Sequence, residues 1–155
     1  MPVKAVPDGY NTVTPYLIVK NATQALDFYK RALGAKERLR LEAPGGKIGH
    51  AEIEVDGSCV MLADEHPEMG YVGPRTIGGT PVSLHIYVVD VDTRFKQAIA
   101  AGGVEKRPVQ DQFYGDRSGT FEDPYGHLWH LATHKEDLSQ EEINKRAEAL
   151  YGKKK

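Results

Sequence analysis

Chemistry-bearing side chains crowd into residues 110–134 of this chain, where Phe113, Tyr114, Asp116, Arg117 and His130 fall close together. Further upstream stand a second candidate histidine, His85, and the carboxylates of Glu52 and Asp64. Two imidazoles and one carboxylate make a recognised ligand set for iron or zinc with an open coordination position. His130, His85 and Asp64, with Glu52 as the other carboxylate, are therefore the metal candidates. Their spacing decides nothing, because they belong to different strands. The competing chemistry is recognition. Phe and Tyr rings stack flat molecules, and the planar guanidinium of Arg117 offers a fork to a carboxylate or phosphate. Asp116 and Arg117 form either such a ligand-reading pair or a salt bridge closing a loop onto a sheet. His127 reads as structural, His50 and His66 as solvated, and Trp129 and Cys59 as core.

The elements that must hold these residues follow from periodicity. Asp123-Pro124-Tyr125-Gly126 is a strong turn, since Pro presets φ and Gly suits the fourth position. The apolar, aromatic run after it and the shorter polar run before it make a hairpin. Residues 1–11 read as an extended arm. Residues 12–20 form a strand that Pro15 confines to an edge or a bulge. Asn21 caps a helix over residues 22–33, which Gly34 ends. Strands follow at residues 36–41, 50–55 and 58–63, the last two joined by the turn dipeptide Asp56-Gly57. Residues 65–81 are loop.

Then the pattern restarts. A strand over residues 81–89 leads to a helix at residues 91–101 capped by Asp90, a short extended piece at residues 107–109, and the hairpin. An offset of 69 pairs Thr14 with Ser83, Tyr16 with His85, Val19 with Val88, Asn21 with Asp90 and Gly34 with Gly103. The chain is thus an α+β domain of two βαβββ units, at residues 12–66 and 81–134. A terminal amphipathic helix covers residues 139–151, with Ser139 and Glu142 as a capping box. Two half-barrel sheets face each other across a cleft, either within one chain or between two. Strand alternation turns Thr14, Tyr16 and Ile18, then Ser83, His85 and Tyr87, then Leu128, His130 and Ala132 toward it.

Composition narrows the function classes. The chain has 155 residues, 40% apolar and 27% charged, with net charge −2, so it offers no field for nucleic acid or an anionic membrane. Lys153, Lys154 and Lys155 read as a solvated tail. One cysteine excludes an internal disulfide and suits a reducing compartment. No signal peptide or membrane span is legible, so a cytoplasmic protein is expected.

Residues 13–29, 60–64 and 113–129 carry a family resemblance. With paired βαβββ units they resemble the vicinal oxygen chelate superfamily, also called the glyoxalase / bleomycin-resistance / dioxygenase family. The stretch DQFYGDRSGTFEDPYGHLW is most similar to its PhnB-like subgroup. The resemblance spans residues 12–134. It implies the fold; the fold hosts isomerases, lyases, dioxygenases, epimerases and drug-binding proteins. It also implies where a divalent metal would sit: Thr14, Ser83, His130, and Met61 or Leu62. Only His130 is an ordinary donor there, since hydroxyls are poor ligands for such ions. The expectation is a homodimeric, metal-free module that binds a planar ligand through Tyr16, His85, Tyr87, Phe113, Tyr114 and His130. Arg117 would orient an acidic group. The terminal stripe of Ile143, Ala147 and Leu150 would need a partner surface. No cofactor is expected. The alternative is a metal-dependent lyase, isomerase or dioxygenase-type enzyme with an unconventional site around His130 and His85.

Overall fold

The computed structural model describes residues 2–152, so the Lys153–Lys155 run lies outside the described residues. The first unit comprises β1 (Tyr16–Val19), α1 (Ala22–Leu33), β2 (Lys36–Ala43), β3 (Lys47–Val55) and β4 (Ser58–Asp64). A loop with a one-turn helix, α2 (Pro74–Ile77), leads to the second unit. This comprises β5 (Ser83–Tyr87), α3 (Val91–Ala101), β6 (Val104–Asp111), β7 (Asp116–Glu122) and β8 (Leu128–His134), before α4 (Gln140–Tyr151). The sheets run β1-β4-β3-β2 and β5-β8-β7-β6. In each, the first strand lies parallel to the last and the other neighbours are antiparallel. The 69-residue offset holds in space: Tyr16 pairs with Met61 and His85 with His130, and 85 − 16 = 130 − 61 = 69.

Local signals explain the boundaries. The Asn21 side chain accepts from the Gln24 amide at 3.1 Å, Asp90 from Thr93 at 3.1 Å and Ser139 from Glu142 at 3.1 Å. Gly34 ends α1 in the left-handed region at φ 64°. β1 is an edge strand, as Pro15 requires, and begins one residue after it. β6 is longer than the sequence suggests. It spans eight residues where only residues 107–109 read as extended. It too is an edge, and its register slips on both sides of Arg107, next to Pro108, which has no amide to give the ladder.

One core serves both units. α1 packs on α3, α1 also covers the first sheet, and α3 covers the second. The apolar core joins Leu17, Val19 and Leu62 of the first sheet to Leu84, Trp129 and Leu131 of the second through Leu26, Tyr29 and Phe95 of the helices. The helices therefore lie between the sheets. The opposite faces of the sheets, which carry Tyr16 at 48% and Tyr87 at 59% exposure, point outward from a single chain. Leu26, Phe28, Tyr29 and Leu33 are almost fully buried, and each contributes about 1.5–3 kcal/mol by area.

A buried carboxylate locks the units together. Asp123 Oδ2 accepts from Tyr29 Oη at 2.6 Å and from Trp129 Nε1 at 2.9 Å, while Oδ1 accepts the amides of Tyr125 and His127 at 2.9 Å. Burial, then the charge of Asp123, pushes the Tyr29 phenol well above its ordinary pKa. His127 donates from Nε2 to the Ile18 carbonyl at 3.0 Å, which is the structural role expected of it. Gly126 takes φ 94°, and a Cβ there would lie 2.8 Å from Pro74, so the turn needs glycine twice over.

Candidate functional site

The outward face of the second sheet gathers most of the chemistry. One line of residues crosses all four strands: Arg107 on β6 stands opposite Thr120 on β7, Thr120 opposite His130 on β8, and His130 opposite His85 on β5. The β6–β7 loop brings Phe113 and Tyr114 over this row, and Tyr151 of α4 closes the far side. Together they enclose a pocket of about 350 Å³. The rings of His85 and His130 are 5.9 Å apart. Phe113 meets Tyr114 edge-on at 5.2 Å and Tyr151 at 5.8 Å.

His130 is fully engaged. Its Nδ1 lies 2.7 Å from Thr120 Oγ1 and its Nε2 lies 3.0 Å from Ser83 Oγ. One ring nitrogen donates and the other accepts in the neutral form. Burial, then His85 and Arg107, holds its pKa below the ordinary histidine value. Tyr87 touches the edge of the His85 ring at 5.1 Å but does not line the pocket. Its hydroxyl donates to Asp116 Oδ2 at 2.8 Å, which raises its pKa. Asp116 also holds His134 Nδ1 at 2.7 Å, and the other His134 nitrogen meets Asp137 at 2.8 Å. Asp116 and then Asp137 raise the pKa of His134.

Besides Tyr87, two expected members lie outside the pocket. Arg117 alternates to the helix face of β7, where Asp92 grips its guanidinium at 2.9 Å through both oxygens and Asp111 at 3.2 Å. It closes an internal salt bridge, the other arrangement its sequence position allowed, although its partners are Asp92 and Asp111 rather than Asp116. Tyr16 is on the first sheet. Its hydroxyl lies 2.8 Å from His50 Nδ1, and His50 Nε2 lies 2.8 Å from Glu52 Oε2. Tyr10 of the N-terminal arm donates to the other Glu52 oxygen. Glu52 is 4% exposed. Its burial works to raise its pKa, but the bonds from His50 and Tyr10 outweigh this and lower it.

The ionised Glu52 accepts from His50 Nε2–H. In neutral His50, this leaves Nδ1 free to accept a hydrogen bond from the Tyr16 hydroxyl. His50 is therefore not solvated as expected but held between Tyr16 and Glu52. The alternation of His50 and Glu52 along β3 was the signal for it. Tyr16 also borders a larger, apolar cavity of about 680 Å³ with Ile18, Ala63, Met69 and Tyr71.

The three metal candidates do not come together on one sheet. Asp64 is on the first sheet, where it accepts the amides of Ala22 at 2.9 Å and Ile48 at 2.7 Å, so His130, His85 and Asp64 do not converge. Among the described residues no three of His, Cys, Asp and Glu cluster in a way that could hold an ion. At the family-type positions, register places Met61 on the outward face and Leu62 in the core, settling that choice toward a thioether.

Comparisons with known proteins agree with the architecture. A family model described as Glyoxalase/Bleomycin resistance protein/Dioxygenase superfamily matches residues 9–131. Rv0887c of Mycobacterium tuberculosis (strain ATCC 25618 / H37Rv) is 40% identical over 134 residues, covering 84% of this chain and 79% of that protein. The crystal structure of TioX from Micromonospora sp. ML1 superposes with TM-score 0.64 at 28% identity, over 83% of this chain and 100% of that one. The PhnB protein from Bacillus cereus superposes with TM-score 0.60 at 22% identity, over 79% of this chain and 99% of that one, a likeness of fold.

Proposed function

The chain belongs to the Glyoxalase/Bleomycin resistance protein/Dioxygenase superfamily, and from that premise we propose that it binds a small planar molecule without a metal. The ligand sits in the pocket of the second sheet. The observation that carries this reading is the row from Arg107 to His85, roofed by Phe113, Tyr114 and Tyr151. The pocket volume is that of a small-ligand site. Each stacked ring pair contributes about 0.5–1.5 kcal/mol beyond area burial, so two or three contacts with apolar burial reach micromolar affinity, about −8 kcal/mol.

A second copy of the chain supplies the opposite wall. The outward faces of the two sheets point away from each other within one chain, so a two-walled cleft sets the Tyr16 face of one copy against the His130 face of another. Calorimetric titration with a panel of flat compounds tests the reading. Binding tighter than millimolar that His130→Ala and Tyr114→Ala both weaken supports it; no binding across the panel sinks it.

The proximity of His85 and His130, 5.9 Å between rings, favours one second reading: a metal-dependent lyase, isomerase or dioxygenase-type enzyme with an unconventional site there. Elemental analysis separates the two. One tightly held Zn, Ni, Fe or Mn per chain, lost in His130→Ala, replaces the binding module with the enzyme.

A further inference from the structure

Arg107 differs from every other arginine in the chain. The sequence has eight. Seven bond a carboxylate or carbonyl oxygen of this chain, and Arg107 has no such partner among the described residues. Its position explains why this matters. It stands at the end of the cross-strand row, in the wall of the pocket that holds His85 and His130. No Asp or Glu lines that pocket. The larger cavity of the first sheet is the reverse, with Asp64, Glu65 and Glu68 in its wall against a single lysine, Lys47. Gln110, Gln112 and Ser118 add neutral polar groups beside Arg107. The cation is also felt at the centre of the site, where it helps hold the His130 pKa down.

A guanidinium without a carboxylate or carbonyl partner among the described residues, in a pocket lined by no Asp or Glu, suits an anion from outside. Its planar fork fits a carboxylate through two parallel hydrogen bonds. The aromatic roof selects a flat body. We propose that the ligand of this pocket is a planar carboxylic acid and that Arg107 reads its carboxylate. This rests on the reading of the second sheet as the ligand site, and it gives Arg107 the role that the sequence suggested for Arg117.

The test is calorimetry on the full chain with two probes of one shape, 2-naphthoate and its neutral counterpart 2-naphthamide. Wild type prefers the naphthoate by about tenfold or more, the scale of one charge-assisted contact. Arg107→Gln abolishes the preference, so that 2-naphthoate binds no more tightly than 2-naphthamide. Lys106→Gln, which removes the same charge one residue away, keeps it. Raising salt weakens the naphthoate alone. Equal affinity of wild type for both probes, or a preference that survives Arg107→Gln, overturns the assignment of Arg107 and leaves the planar-ligand reading standing. Failure of both probes to bind below millimolar overturns that reading and this one together.

Discussion

Asp123 carries four hydrogen bonds at full burial, and its donors come from both units. Removing the acceptor orphans all of them, so Asp123→Ala is expected to cost about 3–5 kcal/mol. Tyr29→Phe removes one bond and is expected to cost about 1–2 kcal/mol. Urea unfolding measures both, and a Tyr29→Phe loss near zero contradicts the lock. His134 makes a different prediction. Its pKa is raised on folding by Asp116 and then Asp137. A raised pKa gives stability that is complete below the unfolded value, about 6.5, and lost as pH rises through the folded value. The gap in stability between wild type and His134→Gln should therefore shrink as pH rises from below the ordinary histidine value through the raised folded value. A gap that widens with pH rules this out.

Among the elements, α4 is the loosest. None of its residues is buried, and Leu150 of the expected stripe is 62% exposed. It is fastened by Arg146, which reaches Glu136 at 2.6 Å and the Phe113 carbonyl at 3.5 Å, and by the Tyr151 ring on Phe113. Such a helix adds little to the core but completes the pocket wall. Tyr151→Ala is expected to leave the melting temperature within a few degrees of wild type while weakening planar-ligand affinity by about 2- to 12-fold, the worth of one aromatic contact. A large drop in melting temperature with unchanged affinity reverses that assignment. β6 shows the limit of local reading at the same scale. A polar edge strand has little apolar alternation, so residues 104–106 and 110–111 carry no strand signal, and pairing with β7 alone defines them.

At the scale of the whole molecule, the helices between the sheets decide where a ligand can be enclosed. Each outward face has one wall in a single chain. In the dimer proposed above a second copy supplies the other, and light scattering is expected to give twice the 17.2 kDa of one chain. Mixing makes the stronger test. Tyr16→Arg damages one wall and His130→Ala the other. Heterodimers of the two variants regain one sound cleft in two, so a fully exchanged equimolar mixture regains about a quarter of the binding stoichiometry. No recovery means that each pocket works within its own chain.

Periodicity, caps and the 69-residue repeat determined the two βαβββ units, the bounds of α1 and α3, and the faces of Tyr16, Ile18, residues 83–87 and residues 128–132; they left β1 at an edge or a bulge, and the structure makes it an edge. These are local matters: a cap needs one side chain within three residues, and a strand turns alternate residues to opposite faces. His85, His130, Phe113 and Tyr114 were legible as neighbours for that reason. Three things were decided only by the tertiary structure. Arg117 met Asp92 across a strand–helix contact, which took it away from the face that carries His85 and His130. His50 found Glu52 and Tyr16, because cross-strand neighbours depend on register. The sheets turned their Tyr16 and His130 faces outward, because α1 and α3 pack together between them, and Tyr29 and Trp129 share one buried carboxylate contributed by a turn 94 residues from Tyr29. Each depends on partners distant in sequence, and strand periodicity names a residue's face without naming who stands opposite.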